Sequence, residues 1–421
     1  MGEGISQSDP SGEQVIKMQI PERADIERGN YGLLKKNLPN YIEEFISRKE
    51  SPSTRNVFKL ESPIRFAVRN DATQIVSVNH QVYKGYYPYR DMLDVEYVSE
   101  FASDRKRGII GIYETDDTRA IGGFLLLAVD REQRKGYFRG LMVSPEYRNR
   151  LHLKNRVLET VYQGFKQYYQ DVDLWFGETR TAHIIGQKWM EEVGSRPCAF
   201  LPNKDIFSAN HIRESDVLEA AYTHKGMHQL RNTEPLLLPE FESLYDRISQ
   251  YYGFPDISFI SCANTPSKVL QKAQDTFQQC VVQKIPSLYQ THILSIQTKN
   301  GSSLQFLVNE VIGSAEKAVL HTSTPQELAI LLLFLKSYMV KEGLHYFEIY
   351  IPATNLEFQR VFLDLGFSCF GYLPAWKHER NQLHDCILFG LFRSPIDWKT
   401  IYLTEDSSEL VKNLRPFLNV F

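Results

Sequence analysis

The chain has 421 residues, enough for two domains that each bury a core of their own. Hydrophobic residues make up 43%, aromatics 12% and charged residues 24%, a balance that excludes a disordered chain and a membrane-spanning one. A net charge of −3 argues against a broad nucleic-acid-binding surface, and five scattered cysteines (Cys198, Cys262, Cys280, Cys369, Cys386) form no CxxC pair or Cys/His cluster, so neither a disulfide framework nor a metal site is expected.

In chain order, residues 1–58 read as a flexible tail followed by an amphipathic helix, Leu38 to Arg48, with Ile42, Phe45 and Ile46 on one face. The polar N-terminus has no basic start before an apolar core; Met1-Gly2 with Ser6 fits a loose myristoylation pattern that Glu3 weakens. From Pro63 the pattern changes. Ile64 to Val68 alternates as a strand, and Asp71 opens a helix through Tyr83. Gly108 to Tyr113 and Ala120 to Val129 are strands joined by the polar turn Glu114-Thr115-Asp116-Asp117. The strand Tyr137 to Val143 is closed by Ser144-Pro145, and the basic turn Tyr147 to His152 opens a helix reaching about Tyr169. Strand, basic turn and helix start together present free backbone N–H groups and the positive end of a helix dipole to an anion. Leu174 to Thr179 is a further strand, and a helix from Ala182 to Val193 ends at Gly194. Pro202-Asn203-Lys204-Asp205 reads as a charged turn.

Residues 208–285 read as a helical connector, with helices at Glu214 to Met227 and Leu238 to Tyr252 between proline-marked turns. Residues 286–421 repeat the earlier rhythm. Strands fall at His292 to Thr298, Leu304 to Glu310, Ala318 to His321, His345 to Ile351, Ser368 to Leu373 and Asp385 to Phe392. Helices fall at Pro325 to Gly343, entered through Ser323-Thr324, and at Asn355 to Leu365, stopped by Gly366. Helix, strand, helix, Gly, strand occurs in both halves, which points to a diverged internal duplication. The most apolar run, Ala329 to Leu335, is too short to cross a bilayer. The expectation is a cytoplasmic protein with reduced thiols and no membrane or nucleic-acid partner.

The run Val143-Ser144-Pro145-Glu146-Tyr147-Arg148 resembles the strand end and the arginine that open the Arg-x-x-Gly-x-Gly/Ala turn of the GNAT superfamily of N-acetyltransferases. Ile64 to Ala72 is similar to that family's first strand and the Asp that starts its first helix. Thr181 to Gly194 resembles its penultimate helix, and Asn355 to Phe367 does so more closely in the second half. The resemblance covers residues 59–207 as an N-terminal GNAT-like domain. It covers 286–421 as a degenerate one that lacks the cofactor loop. It implies an α/β (α+β) fold of two mixed sheets flanked by helices and joined by the connector.

The resemblance also implies an acyl-CoA-dependent N-acyltransferase, with acetyl-CoA or another acyl-CoA as co-substrate and an amine of a small molecule or protein as acceptor. The diphosphate would sit on Arg148, Asn149, Arg150, Leu151, His152, Leu153 and Lys154. The pantetheine arm would lie between Leu141-Met142-Val143 and Trp175 to Thr179, with a backbone N–H near Met142 or Val143 polarising the thioester. Leu151 and Leu153 stand where the family keeps small residues, and a leucine there obstructs close backbone approach to a phosphate. The tyrosine that many relatives use as general acid is replaced by Met190 and Phe362, neither of which carries a proton to give. Glu178 and His183 are the catalytic candidates, the first as a base through water, the second near neutral pH. The polar density of Gly177 to His183 supports a site, because buried polar groups need partners. Two alternatives stand beside this: a non-catalytic binding or scaffold protein, and an acyl-thioester decarboxylase using Thr179, Thr181 and His183. The second half could supply the pseudo-dimer that single-domain relatives make from two chains, leaving monomer and homodimer both open.

Overall fold

The structure, a computed structural model, describes residues 40–51, 64–115, 118–148 and 153–421. The expected tail, the start of the first helix, Asp116, Asp117 and the turn residues Asn149, Arg150, Leu151 and His152 lie outside these described residues.

The first half runs α1 (Ile42–Glu50), β1 (Arg65–Phe66), α2 (Ala72–Tyr83), α3 (Val95–Ser103), β2 (Gly108–Glu114), β3 (Ile121–Asp130), β4 (Lys135–Val143), α4 (Leu153–Tyr168), β5 (Leu174–Arg180), α5 (Ile185–Glu192), β6 (Arg196–Ile206) and β7 (Arg213–Tyr222). After it come α6 (Glu242–Tyr252) and α7 (Ser267–Thr276). The second half runs β8 (Val281–Pro286), β9 (Thr291–Gln297), β10 (Ser303–Asn309), β11 (Ser314–His321), α8 (Pro325–Glu342), β12 (Tyr346–Pro352), α9 (Leu356–Asp364), β13 (Ser368–Glu379), β14 (Gln382–Phe392) and α10 (Glu405–Leu414).

Period-two alternation decides which side chains meet which helices. Along β3, Leu125 and Leu127 join Phe138 of β4 and Trp175 of β5 in a core with α1, α4 and α5. Phe124 and Leu126 join Met142, Ile110 and Ile112 in a second core with α2 and α3. Each such side chain, fully buried, contributes about 1.5–3 kcal/mol. Local caps follow the sequence in places: Thr324 accepts from the Glu327 N–H at 3.3 Å and Asn355 from the Phe358 N–H at 3.0 Å. Asp71 differs. Its carboxylate accepts from the Val68 N–H and from Arg65, so it closes a 3₁₀ turn ahead of α2 rather than capping α2 itself.

The helix expected over Glu214 to Met227 is instead the strand β7, antiparallel to β5 on one side and β6 on the other. Glu, Ala and Leu favour helix locally, but tertiary context overrides propensity. Residues Ser215 to Tyr222 are buried, as in a strand covered on both faces.

The sheet order is β1-β2-β3-β4-β5-β7-β6-β13-β14-β12-β11-β10-β9-β8. The two mixed sheets are thus continuous, joined through a register pair of Ala199 with Gly371. Counted inward from either edge, the order is the same. Hydrogen bonds repeat across that join. The Gln187 side chain of α5 donates to Tyr402 O at 2.9 Å and accepts from Thr404 N at 3.0 Å, while Tyr402 N donates to Thr181 O at 2.8 Å. The Gln359 side chain of α9 donates to Leu236 O at 2.6 Å and accepts from Leu238 N at 3.2 Å, while Leu236 N donates to Ala353 O at 2.7 Å. Each half therefore lends the segment after its last strand to the other half's helix.

Candidate functional site

β4 and β5 run parallel and pair from Lys135 with Leu174 to Phe138 with Gly177. Beyond that point no register pair joins them, so Arg139 to Val143 and Glu178 to Arg180 border a gap. A bulge marks the divergence. Leu126 pairs with Arg139 and Leu125 with Leu141, leaving Gly140 outside the β3–β4 ladder at φ +74°. An L side chain rarely adopts that conformation, and a Cβ there would stand 3.3 Å from Met142 Cε and 3.6 Å from the Tyr87 hydroxyl. Arg139 is held in an ion pair with Asp91 at 2.6 Å.

At the end of β4, Ser144 leads into a 3₁₀ turn, Pro145 to Tyr147, and Arg148 follows exposed and in αR conformation. Met142 and Val143 are buried, and Leu141 is half-buried against the α4 core. Leu153 packs into the same core at the start of α4. Lys154 is engaged elsewhere, with Nζ 2.7 Å from Glu192 Oε1 at the end of α5. Arg148, by contrast, faces solvent.

His183 sits exposed in the turn between β5 and α5. Desolvation, then the Arg180 charge, with a smaller push from Arg148, hold its pKa below the usual imidazole value. Its imidazole is therefore neutral at pH 7. Thr179 and Thr181 do not reach it as donors: Thr179 donates to Glu219 at 2.7 Å and Thr181 to Ser215 O at 2.7 Å. Met190 and Phe362 are both buried, Phe362 stacked on Phe389 with centroids 4.6 Å apart.

Glu178 lies in an ion-pair network that crosses the join. Lys204 Nζ is 2.8 Å from Glu178, 3.3 Å from Glu348 of β12 and 3.6 Å from Glu316 of β11. Pro202 to Asp205 is thus no surface turn. It is a bulge in β6, with Asn203 at φ 53° and Lys204 1% exposed. β13 carries the matching bulge, Ala375 at φ 48°, and Phe200-Leu201-Pro202-Asn203-Lys204 lines up with Tyr372-Leu373-Pro374-Ala375-Trp376. Lys204 therefore projects toward second-half carboxylates. Trp376 projects toward the first half, beneath Lys135 Nζ at 4.0 Å and 5.0 Å from Phe176.

Burial alone would lower the Lys204 pKa, but Glu178, Glu316 and Glu348 together hold it well above the ordinary lysine value. Burial pushes Glu348 up to about 7, against the pull of Lys204. Asp216 of β7 is likewise pushed up to about 7 by burial and Glu178. Asp205, 3.3 Å from the Tyr89 hydroxyl, is held well above the carboxylate range by burial and Asp216. Glu316 and Glu348 were out of reach of sequence reasoning, because they lie more than a hundred positions from Lys204 and meet it only across the join. The one local signal was Lys204-Asp205 directly after an apolar strand.

No protein-family model and no curated protein matches this chain. Solved structures do. A ribosomal-protein-S5-alanine acetyltransferase from Vibrio fischeri is 13% identical, with 39% of this chain and 96% of that one covered at a TM-score of 0.33. A ribosomal-protein-alanine N-acetyltransferase from Brucella melitensis is 10% identical, with 38% and 99% covered and a TM-score of 0.32. A variant of the spermidine N-acetyltransferase from Vibrio cholerae is 13% identical, with 39% and 96% covered and a TM-score of 0.32. These neighbours are acetyltransferases. Among the described residues no helix is long and apolar enough to cross a membrane, and no cluster of His, Cys, Asp and Glu could hold a metal ion.

Proposed function

We propose that the chain is an acyl-CoA-dependent N-acyltransferase whose co-substrate lies in the gap between β4 and β5. We further propose a tandem of two acetyltransferase-like folds, the first running through β7 and the second starting at β8, linked through α6 and α7, in the cytoplasm, where its free cysteines stay reduced. The observation that carries the first proposal is the loss of pairing after Phe138 and Gly177, beside the bulge at Gly140 and next to Arg148. Two unpaired strand edges offer backbone groups to an extended amide chain, and an exposed arginine after the strand offers charge to a diphosphate.

When bound, an acyl thioester supplies the activated acyl group. The Met142 or Val143 N–H would hold its carbonyl oxygen as charge develops there. An amine acceptor arrives protonated and must lose a proton before it attacks. His183, neutral at pH 7, is free to take it, whereas Glu178 is held in its ion pair with Lys204. The acceptor nitrogen then bonds the acyl carbon as the C–S bond breaks, and the proton left on the nitrogen passes to the departing thiolate. Calorimetric titration with acetyl-CoA tests the first step: micromolar binding that Arg148→Glu weakens supports it, and no heat at millimolar ligand defeats it.

A second reading, a non-catalytic binding protein, is favoured by the buried Met190 and Phe362 and by the engagement of Glu178. It predicts acetyl-CoA binding without acyl transfer to any amine of a broad panel. Nothing in the positions of Thr179 and Thr181 favours a decarboxylase.

A further inference from the structure

The buried cluster around Lys204 holds more acid than its own cations can balance. Glu178 of β5, Asp205 of β6, Asp216 of β7, Glu316 of β11 and Glu348 of β12 all interact with Lys204 electrostatically. Counting Glu214, which pairs with Arg180, six carboxylates against Lys204, Arg180 and Arg213 would leave a formal excess of three negative charges where Lys204, Asp205 and Asp216 are 1%, 2% and 1% exposed. Such an excess persists only if the acids keep protons or if another cation joins them.

A second observation favours the cation. Asp216 Oδ1 is buried with no hydrogen-bond partner among the described residues. Asp216 stands opposite Arg180 on β5 and Leu201 on β6, on the face that carries Glu178, and interacts with both Glu178 and Lys204. A buried carboxylate oxygen with nothing to accept from is a place prepared for a donor. Glu178 and Glu316, each with a side chain 12% exposed, are the members of the cluster that reach solvent.

We propose that this cluster is the acceptor site and takes an amine carrying at least two ammonium groups, bound by carboxylates from both halves of the chain. The proposal rests on the acyltransferase reading for the word acceptor; the cation site itself does not. In the absence of ligand, Lys204 acts as the internal counter-ion. A dication entering at Glu178 and Glu316 would supply the missing donor to Asp216. It would also expel protons, since Asp216 and Glu348 hold theirs up to about pH 7. The second half thus has a task although it lacks a cofactor turn: Glu316 and Glu348 set the charge of the acceptor.

The full chain is titrated calorimetrically at pH 7 with 1,4-diaminobutane, n-butylamine and 1,4-butanediol, in two buffers of different ionisation enthalpy. The diamine should bind roughly ten-fold or more tightly than the monoamine, with proton release, and the diol should not bind. Glu316→Gln and Asp216→Asn should each weaken the diamine roughly ten-fold while leaving acetyl-CoA affinity unchanged. Glu316 is partly exposed, so its variant remains informative if Asp216→Asn fails to fold. Equal binding of the diol, no diamine binding, or unaltered diamine affinity in both variants overturns the proposal. Acetyl-CoA binding without diamine binding defeats this inference alone. Diamine binding without acetyl-CoA binding defeats the acyltransferase reading and leaves the cation site standing.

Discussion

Replacing Lys204 by methionine removes the ammonium shared by three carboxylates, Glu178, Glu316 and Glu348. Lys204 is 1% exposed, and Glu178, Glu316 and Glu348 stand 2.8, 3.6 and 3.3 Å from its nitrogen. Removing one partner of a buried ion pair while the other stays costs about 3–5 kcal/mol. With an unfolding entropy of about 2.1 cal/mol/K per residue, that corresponds to a fall in Tm of about 3–6 °C for a chain of this length. The loss should depend on pH in a definite direction. Glu348 and Asp216 have folded-state pKa values raised to about 7 by burial. A carboxyl raised in this way stabilises the fold fully below its unfolded pKa and loses that contribution as pH rises toward 7. Without Lys204 those acids need protons even more, so the deficit relative to the native chain should be large at pH 8 and small at pH 5. Differential scanning fluorimetry at both pH values measures it. An equal deficit at pH 5 and pH 8, or none at pH 8, would refute the charge-balance argument.

Other expected outcomes follow from the fold and the gap. Gly140→Val should destabilise by about 1–2 kcal/mol, because φ +74° strains a branched residue; chemical denaturation reads this, and an unchanged midpoint would contradict the bulge. Gln187→Ala and Gln359→Ala should each cost about 1–3 kcal/mol by leaving buried backbone groups unpaired. Their effects should be alike, since the hydrogen bonds they remove match pairwise. Arg148→Glu should weaken acetyl-CoA binding about ten-fold or more, with the melting temperature unchanged because Arg148 is exposed. If acyl transfer is found, His183→Ala should lower the rate and remove the acidic limb of its pH profile. That limb should lie below the usual imidazole pKa, and a limb above it would exclude His183 as the base.

The first half was legible in the sequence because its strands alternate and its helices carry stop signals. Gly194 at φ 93° and Gly366 at φ 74° end helices where the pattern said they would. The second half was legible through repetition of the same signals. β7 was hidden, since a strand buried on both faces and rich in Ala, Leu and Glu offers no period of two. Asp71 was assigned to the right turn but the wrong partner, because Arg65 and Val68 compete for its carboxylate. Arg148 follows β4 in the strand-to-turn order the local pattern gave; the gap was implied by the resemblance and opens later than expected, since Trp175 to Gly177 still pair with β4. The partners of Glu178 were not legible, because Lys204, Glu316 and Glu348 are brought together only by the β6–β13 join, which no local period encodes.

Hydrogen exchange with and without acetyl-CoA tests the central claim, that the gap between β4 and β5 holds the co-substrate. The account predicts slowed exchange in both Arg139–Val143 and Glu178–Arg180 when acetyl-CoA is added, with Arg148→Glu abolishing the effect. Exchange unchanged in both strands at saturating acetyl-CoA, or protection confined to another part of the chain, would contradict it.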